Sequence, residues 1–443
     1  MIMPDNHLIV LMHGVRAGML TQQDGVHIFA YDIEFQSNDA STPVSLSLPI
    51  VQREHRGAKL VNYLWGLLPD NPRVLARWGA QFDTSPKNPF GLLAHVGEDC
   101  PGAIQFVRPE RLEMIQKTSA IYPVDDDWIA NKIKALRTDS AAWLPTEERT
   151  DGQWSLAGAQ PKFALVRDGA GWATASGIRP TTHIFKPNVS PFPHFDLNEQ
   201  LCLHTARLLG LPTANSALHQ FKDEVSLVVD RYDRTSDGGR VHQEDLCQAL
   251  GISPLNKYQN EGGPTVAGIA ELLRQNVDRD HRDDCMLQLA RILAFNWLIV
   301  NTDGHAKNFS VLLSGRNVRL APLYDVASGL PYQRTIPGKI IPGELNARGL
   351  RMALKIGSEY EATQIDQQCW RHVATELRLD PDMLLSEVSQ LAQKIPDKFQ
   401  QAIVDAGDIA DPEFAGQMLE RVESRAKLCS QTLRGQPQKR HDY

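Results

Sequence analysis

Asp303 and Asn308 lie in one short polar stretch, and Asp325 follows after a run that reads as a β-hairpin. Two carboxylates and an amide oxygen are hard ligands, the set that holds magnesium on phosphates while leaving one carboxylate free as a base. Phosphoryl transfer asks mainly for positioning and charge neutralisation, so few side chains suffice. A structural reading competes: Asp303-Gly304 as a tight turn, Asn308 as a loop cap and Asp325 as the N-cap of a following segment. Three such residues at this spacing, with a hairpin between them, favour the site.

The elements that must position them are legible on either side. Met286 to Val300 is apolar on nearly every face and predicts a buried helix. Phe309 to Leu313 predicts one strand, Ser314 to Asn317 the turn and Val318 to Leu323 the returning strand. Antiparallel pairing then sets Asn308 beside Asp325. The spacing Asp-x4-Asn, hairpin, Asp matches the magnesium-and-base half of a protein-kinase-like site.

Upstream, Trp154 to Lys162 brings small residues before the strand Phe163 to Val166, which lets backbone N–H groups approach phosphate. With a single glycine, this stretch taken alone reads as a strand-entry turn. His183 to Pro187 is a strand ending in Lys186, where a kinase places its phosphate-gripping ammonium; an exposed edge-strand lysine is the plain alternative. A helix over Leu197 to Leu209 follows, with Asp196 as N-cap and Glu199 completing a capping box or pairing with the strand lysine. Ser226 to Val229 empties into Asp230 to Arg234, a hinge whose backbone could read an adenine edge, or a solvated strand end. At the front, Leu8 to Tyr31 is β-rich, and Pro43 to Ile50 alternates so that its serines face solvent. Asp245 caps a helix start at Leu246 to Leu250, so His242 and Cys247 are read as structural. Leu144 to Gln153 reads as a connector. The later helices are Trp370 to Leu377, Pro381 to Gln393 and Pro412 to Leu433.

With 46 Lys and Arg against 53 Asp and Glu in 443 residues, the net charge of -7 excludes a chain that coats nucleic acid over its whole surface. The six cysteines form no C-x-x-C pair, the pattern of free thiols in a reducing compartment. Neither a signal-peptide pattern nor an apolar run of spanning length is visible, so a cytoplasmic protein without a membrane partner is expected.

The segments SLAGAQPK (155–162), THIFKP (182–187), VVDRYDR (228–234), HQEDLCQALG (242–251), GGP (262–264), NTDGHAKNFSVLL (301–313) and PLYDVAS (322–328) together resemble the HipA family of toxin serine/threonine kinases over almost the full chain. The resemblance implies an α+β, bilobal protein-kinase-like fold with an extra N-terminal β-rich subdomain and a helical C-terminal lobe. It divides the chain into an N-terminal subdomain (1–110), the remainder of the N-lobe (111–234), the C-lobe (235–435) and a disordered tail (436–443). It implies ATP and Mg2+ as cofactors, Asp303 as catalytic base, and Asn308 and Asp325 as metal ligands. Nucleotide contacts would come from Ala157, Gly158, Ala159, Gln160, Pro161, Lys162, Lys186, Asp230, Arg231, Tyr232, His305, Ala306, Lys307, Asn308, Tyr324 and Asp325, and Ser155 would be autophosphorylated. The implied partners are a HipB-type DNA-binding antitoxin, operator DNA reached mainly through it, and a protein substrate of the aminoacyl-tRNA synthetase class. One departure stands out: where some members carry a lysine-rich DNA-touching loop, Gly357 to Glu361 is acidic. Against the active toxin stands a catalytically weak nucleotide-binding co-repressor that acts through the antitoxin.

Overall fold

The alternating apolar residues at the front of the chain build a five-stranded antiparallel sheet in the order Glu54–Arg56, Val26–Tyr31, Val15–Gln23, His7–Met12, Ile104–Val107. His7–Met12 buries both faces: Leu8, Val10 and Met12 enter the main core, and Ile9 and Leu11 pack with Val107 and Ile115. The computed structural model describes residues 6–117, 119–144, 154–177, 179–189, 191–333 and 350–435. Most of the expected connector and the whole expected tail lie outside those residues. The chain falls into two units and passes between them five times. The first is Met1–Val189, Gln220–Asn256 and Ser310–Val318; the second is Ser190–His219, Lys257–Phe309 and Arg319–Tyr443.

In the first unit a second antiparallel sheet runs Glu224–Asp230, His183–Pro187, Phe163–Asp168, Gly171–Gly177, Ser119–Val124. One hydrophobic cluster reaches from Val10 and Phe106 of the front sheet through Trp143 and Trp154 to Phe163 and Phe185 of this one. The stretch 43–50 corrects the expectation of a strand with outward serines. Only an isolated bridge joins Ser45 to Leu48, and Ser45 and Ser47 are buried. The reason is the buried carboxylate of Glu244, which takes a hydrogen bond from Ser45 Oγ at 2.5 Å and from the Leu46 N–H at 2.8 Å. Glu244 lies on His242–Asp245, which pairs with Ser310–Ser314. Asp245 caps the next helix in a full capping box with Gln248, as its position predicts.

The second unit is mostly helical: Phe195–Leu208, Val266–Asn276, Arg282–Leu298, Gln367–Leu377, Pro381–Ala406 and Pro412–Leu433. Arg282–Leu298 is the expected buried helix; Trp297 packs edge-on against Trp370 at 5.5 Å, and the Arg425 guanidinium lies over the Trp297 ring at 5.2 Å. Pro381–Ala406 runs through Pro396, beyond the expected end at Gln393, because its apolar side continues to Phe399 and Ala402. The capping box expected at Asp196 is absent. The helix begins at Phe195 behind His194, so Asp196 sits inside the first turn and bonds the adjacent Leu197 N–H, while Glu199 is buried. All six cysteines are buried, and none is in a disulfide. Among the described residues no helix is long and apolar enough to cross a membrane.

Candidate active site

The polar stretch after Arg282–Leu298 is fixed by its own amides. Asn301 N–H donates to Asn296 O at 2.8 Å, Asp303 N–H to Asn301 Oδ1 at 3.1 Å, and His305 N–H to Asp303 O at 2.8 Å. Val300, at the root, has φ 52, a left-handed conformation that costs a β-branched residue energy and persists only where surroundings impose it. Gly329 N–H holds its carbonyl at 2.9 Å. A side chain at Gly304 would meet Asn296 Nδ2 at 3.0 Å, so the turn must stay small.

On this base stand Asp303 and Asn308. Asn308 Nδ2 donates to Asp303 O at 2.7 Å, which leaves Oδ1 as the acceptor end of the amide. The Asp303 side chain is 64% exposed. Its Oδ1 accepts from the Tyr258 hydroxyl and lies 3.6 Å from His305 Nε2. Tyr258 stands edge-on to the His305 ring at 4.9 Å, and Lys257 O accepts from Ala306 N–H at 3.2 Å. Tyr258 was not singled out by sequence, because it lies 45 positions from Asp303. His305 is buried, and burial lowers its pKa to about 4 against the pull of Asp303.

The returning strand of the hairpin is shorter than expected, Asn317–Leu320, so strand pairing does not carry the register as far as Asp325. Another contact does: Tyr324 Oη donates to Lys307 O at 2.7 Å, tying the residue before Asp325 to the residue before Asn308. Asp325 itself has φ 52. Asp303, His305, Ala306, Lys307, Asn308, Tyr324 and Asp325 therefore form one neighbourhood within the second unit. Among the described residues no cluster of three or more His, Cys, Asp or Glu is placed for a metal. An Asn308 amide oxygen and an Asp325 carboxylate fit magnesium all the same, since that ion takes one or two protein oxygens and completes its shell with water and phosphate.

In the first unit several of the other expected residues are buried, among them Ser155, Lys162, Lys186 and Arg231. Ser155 is buried, its hydroxyl donating to Leu67 O at 2.6 Å and its N–H to Asp99 O at 3.0 Å. Gly158 (φ 97) bridges Pro69, and its carbonyl accepts from Asp70 N–H at 3.0 Å. Lys162 folds back so that Nζ donates to Ala157 O at 2.8 Å and lies 5.6 Å from the centre of the Trp143 ring. Ala159, Gln160 and Pro161 complete that turn before the strand Phe163–Asp168. Lys186 is buried on His183–Pro187 opposite Leu227. Asp230 pairs with His183 at 3.1 Å, and the Tyr232 hydroxyl donates to Gln243. Arg231 is committed elsewhere: its N–H donates to Thr182 O, and its guanidinium reaches Asp233, Thr181 and Cys100 O. Asp99, not foreseen from sequence, centres this network. Burial would raise its pKa, but Arg240, Arg231 and Arg234 together hold it far below the usual carboxylate range.

Known proteins place the chain. Residues 8–107 match the HipA N-terminal domain and residues 154–399 the HipA-like C-terminal domain. The chain belongs to the HipA family. It is 32% identical over 435 residues to the putative kinase Y4mE of Sinorhizobium fredii, covering 95% of this chain and 98% of that one. It is 29% identical over 360 residues to the serine/threonine-protein kinase toxin HipA of Shewanella oneidensis, covering 77% of each. The solved HipA from the Shewanella oneidensis complex of HipA, HipB and operator DNA superposes with a TM-score of 0.81 at 23% identity, over 97% of this chain and 98% of that one. The α+β fold is thus that of HipA, and the neighbourhood around Asp303 belongs to the HipA-like C-terminal domain.

Proposed function

We propose that this HipA-family chain is an ATP- and magnesium-dependent serine/threonine protein kinase, acting as the toxin of a toxin–antitoxin pair. The observation that carries the reading is the exposed carboxylate of Asp303 in the hydrogen-bonded loop after Arg282–Leu298, with Asn308 bonded to its backbone and Asp325 drawn to the same neighbourhood. ATP with magnesium supplies the phosphoryl group and the cation that neutralises its charge. Asp303 accepts the hydrogen bond of a substrate Ser or Thr hydroxyl and takes its proton on Oδ2, the oxygen that Tyr258 does not engage. Asn308 Oδ1 and the Asp325 carboxylate hold the cation. His305, neutral near pH 7, backs the loop without adding charge.

Lys186 grips phosphate, the backbone of Ala157 to Lys162 cradles it, and the carbonyl side of Asp230 to Tyr232 reads the adenine edge. Ser155 is the autophosphorylation site. Its hydroxyl is buried on Leu67 O, so it accepts phosphate only when the stretch leaves its seat, and the added charge keeps it out. Family membership supports a HipB-type antitoxin as partner, operator DNA bound mainly through it, co-repression of the shared operon, a cytoplasmic location and an aminoacyl-tRNA synthetase as target.

The test is incubation of the purified chain with labelled ATP and magnesium. Label on Ser155, absent in Asp303→Asn, supports the kinase. Nucleotide binding with no transfer supports the co-repressor module instead.

A further inference from the structure

Within the second unit, the turn that follows Asp325 is held by a side chain far away in sequence. Asn198, on Phe195–Leu208, is completely buried. Its Nδ2 donates to Ser328 O at 2.8 Å, and its Oδ1 accepts from Ser328 N–H at 2.8 Å, so one amide satisfies both backbone groups of one residue as a neighbouring strand would. Oδ1 also takes a weak bond from Cys202 Sγ at 3.3 Å. Ser328 then reaches the other way. Its Oγ donates to Ile299 O at 2.6 Å and accepts from Leu330 N–H at 3.1 Å, beside the Gly329 to Val300 bond.

Asp325 is pinned from the other side as well. Leu323 N–H donates to Pro212 O at 2.9 Å, Leu323 O accepts from Ala214 N–H at 2.8 Å, and Tyr324 is tied to Lys307. The carboxylate therefore sits between two anchors, on a residue whose φ of 52 is a left-handed conformation that Asp tolerates better than most residues. Release either anchor and the backbone at Asp325 is no longer held to one conformation, so the carboxylate loses its fixed aim. Three parts of the chain meet at Ser328: the helix that carries Asn198, the end of the helix that leads into Asp303, and the turn that carries Asp325.

We propose that Asn198 is a positioning residue for the cation. Its amide fixes the backbone at Ser328 that aims Asp325, and so couples the helix Phe195–Leu208 to the cation-binding turn. This rests on the kinase reading above and assigns it a residue that touches neither nucleotide nor substrate.

The test compares binding of a non-hydrolysable ATP analogue by calorimetry, with and without magnesium, in the full chain and in Asn198→Ala. The expected result is that magnesium tightens binding in the unmodified chain, and that the variant loses about tenfold of this gain, equivalent to about 1.4 kcal/mol, while magnesium-free binding changes less than about twofold. In transfer assays the half-saturating magnesium concentration should rise by a similar factor, with most of the rate recovered in excess magnesium. Ser328→Ala, which keeps both amide bonds and removes the two Oγ bonds, to Ile299 O and from Leu330 N–H, should move the same quantities by about threefold and decides the matter if Asn198→Ala does not fold. An unchanged magnesium gain in a folded variant overturns the proposal, and so does a magnesium-free affinity that falls by the same factor, since that is general damage. An unmodified chain that binds no nucleotide at all overturns the kinase reading itself, and this inference with it.

Discussion

The two stretches expected to serve phosphoryl transfer are built on opposite plans. In the first unit Ser155, Lys162 and Lys186 are buried, and the stretch around them is bonded to carbonyls of its own surroundings. Close by, charge is used for structure: Asp99 gathers three guanidiniums. In the second unit the backbone bears strain at Val300, and the Asp303 carboxylate stands in solvent. The difference teaches where each substitution should register. Changes at Asp303 should alter rate and spare stability; changes in the first unit should alter stability or binding.

The sharpest break would come from Asp303→Asn, expected to lower transfer by about a hundred- to ten-thousand-fold with thermal stability and nucleotide affinity nearly unchanged. A large fall in melting temperature would show the carboxylate to be structural. Next is Ser155→Asp, which puts a charge where a buried hydroxyl donates to Leu67 O. It should weaken ATP binding by about tenfold or more, measured by calorimetry, and equal affinity would mean that the stretch does not contact nucleotide.

Glu244→Gln tests the buried carboxyl group through pH. Burial raises the pKa of Glu244 to about 8, despite hydrogen bonds from Leu46 and Ser45, against 4.5 for a free glutamate. The folded state therefore holds a proton that the unfolded chain releases; the associated stability is full below about pH 4.5 and is lost as pH rises through about 8. The variant should remove that loss, gaining on the order of 1–3 kcal/mol over the parent at pH 9 in denaturant titrations. His242 and His305 work in the opposite sense. Burial lowers each to about 4, so the stability they contribute is present above about pH 6.5 and falls away as pH drops through about 4. Smallest is Tyr258→Phe, which removes one exposed bond to Asp303 and should change the transfer rate by about two- to tenfold without moving the melting temperature.

How far the sequence could be read follows from distance along the chain. The Asp303 neighbourhood was legible because helix, polar loop and hairpin are consecutive, and local patterns report consecutive elements. Asn198 with Ser328, Tyr258 with Asp303 and Asp99 with Arg240 were not, because 130, 45 and 141 positions separate the partners. Two local readings failed for a related reason. The alternation over 43–50 gave the right buried residues in Val44 and Leu48 but could not show Glu244 drawing Ser45 inward. Asp196 looks like a cap by type, yet the helix starts one residue before it.

The interleaving of the two units also governs how the molecule can be made. Ser310–Val318 completes the first unit, and it is translated after most of the second unit's earlier pieces have left the ribosome. A nascent chain stopped short of residue 318 holds neither unit whole, and no contiguous gene fragment encodes either one alone. Assembly must wait for contacts between distant segments, the slow regime of folding in which unfinished intermediates expose apolar surface.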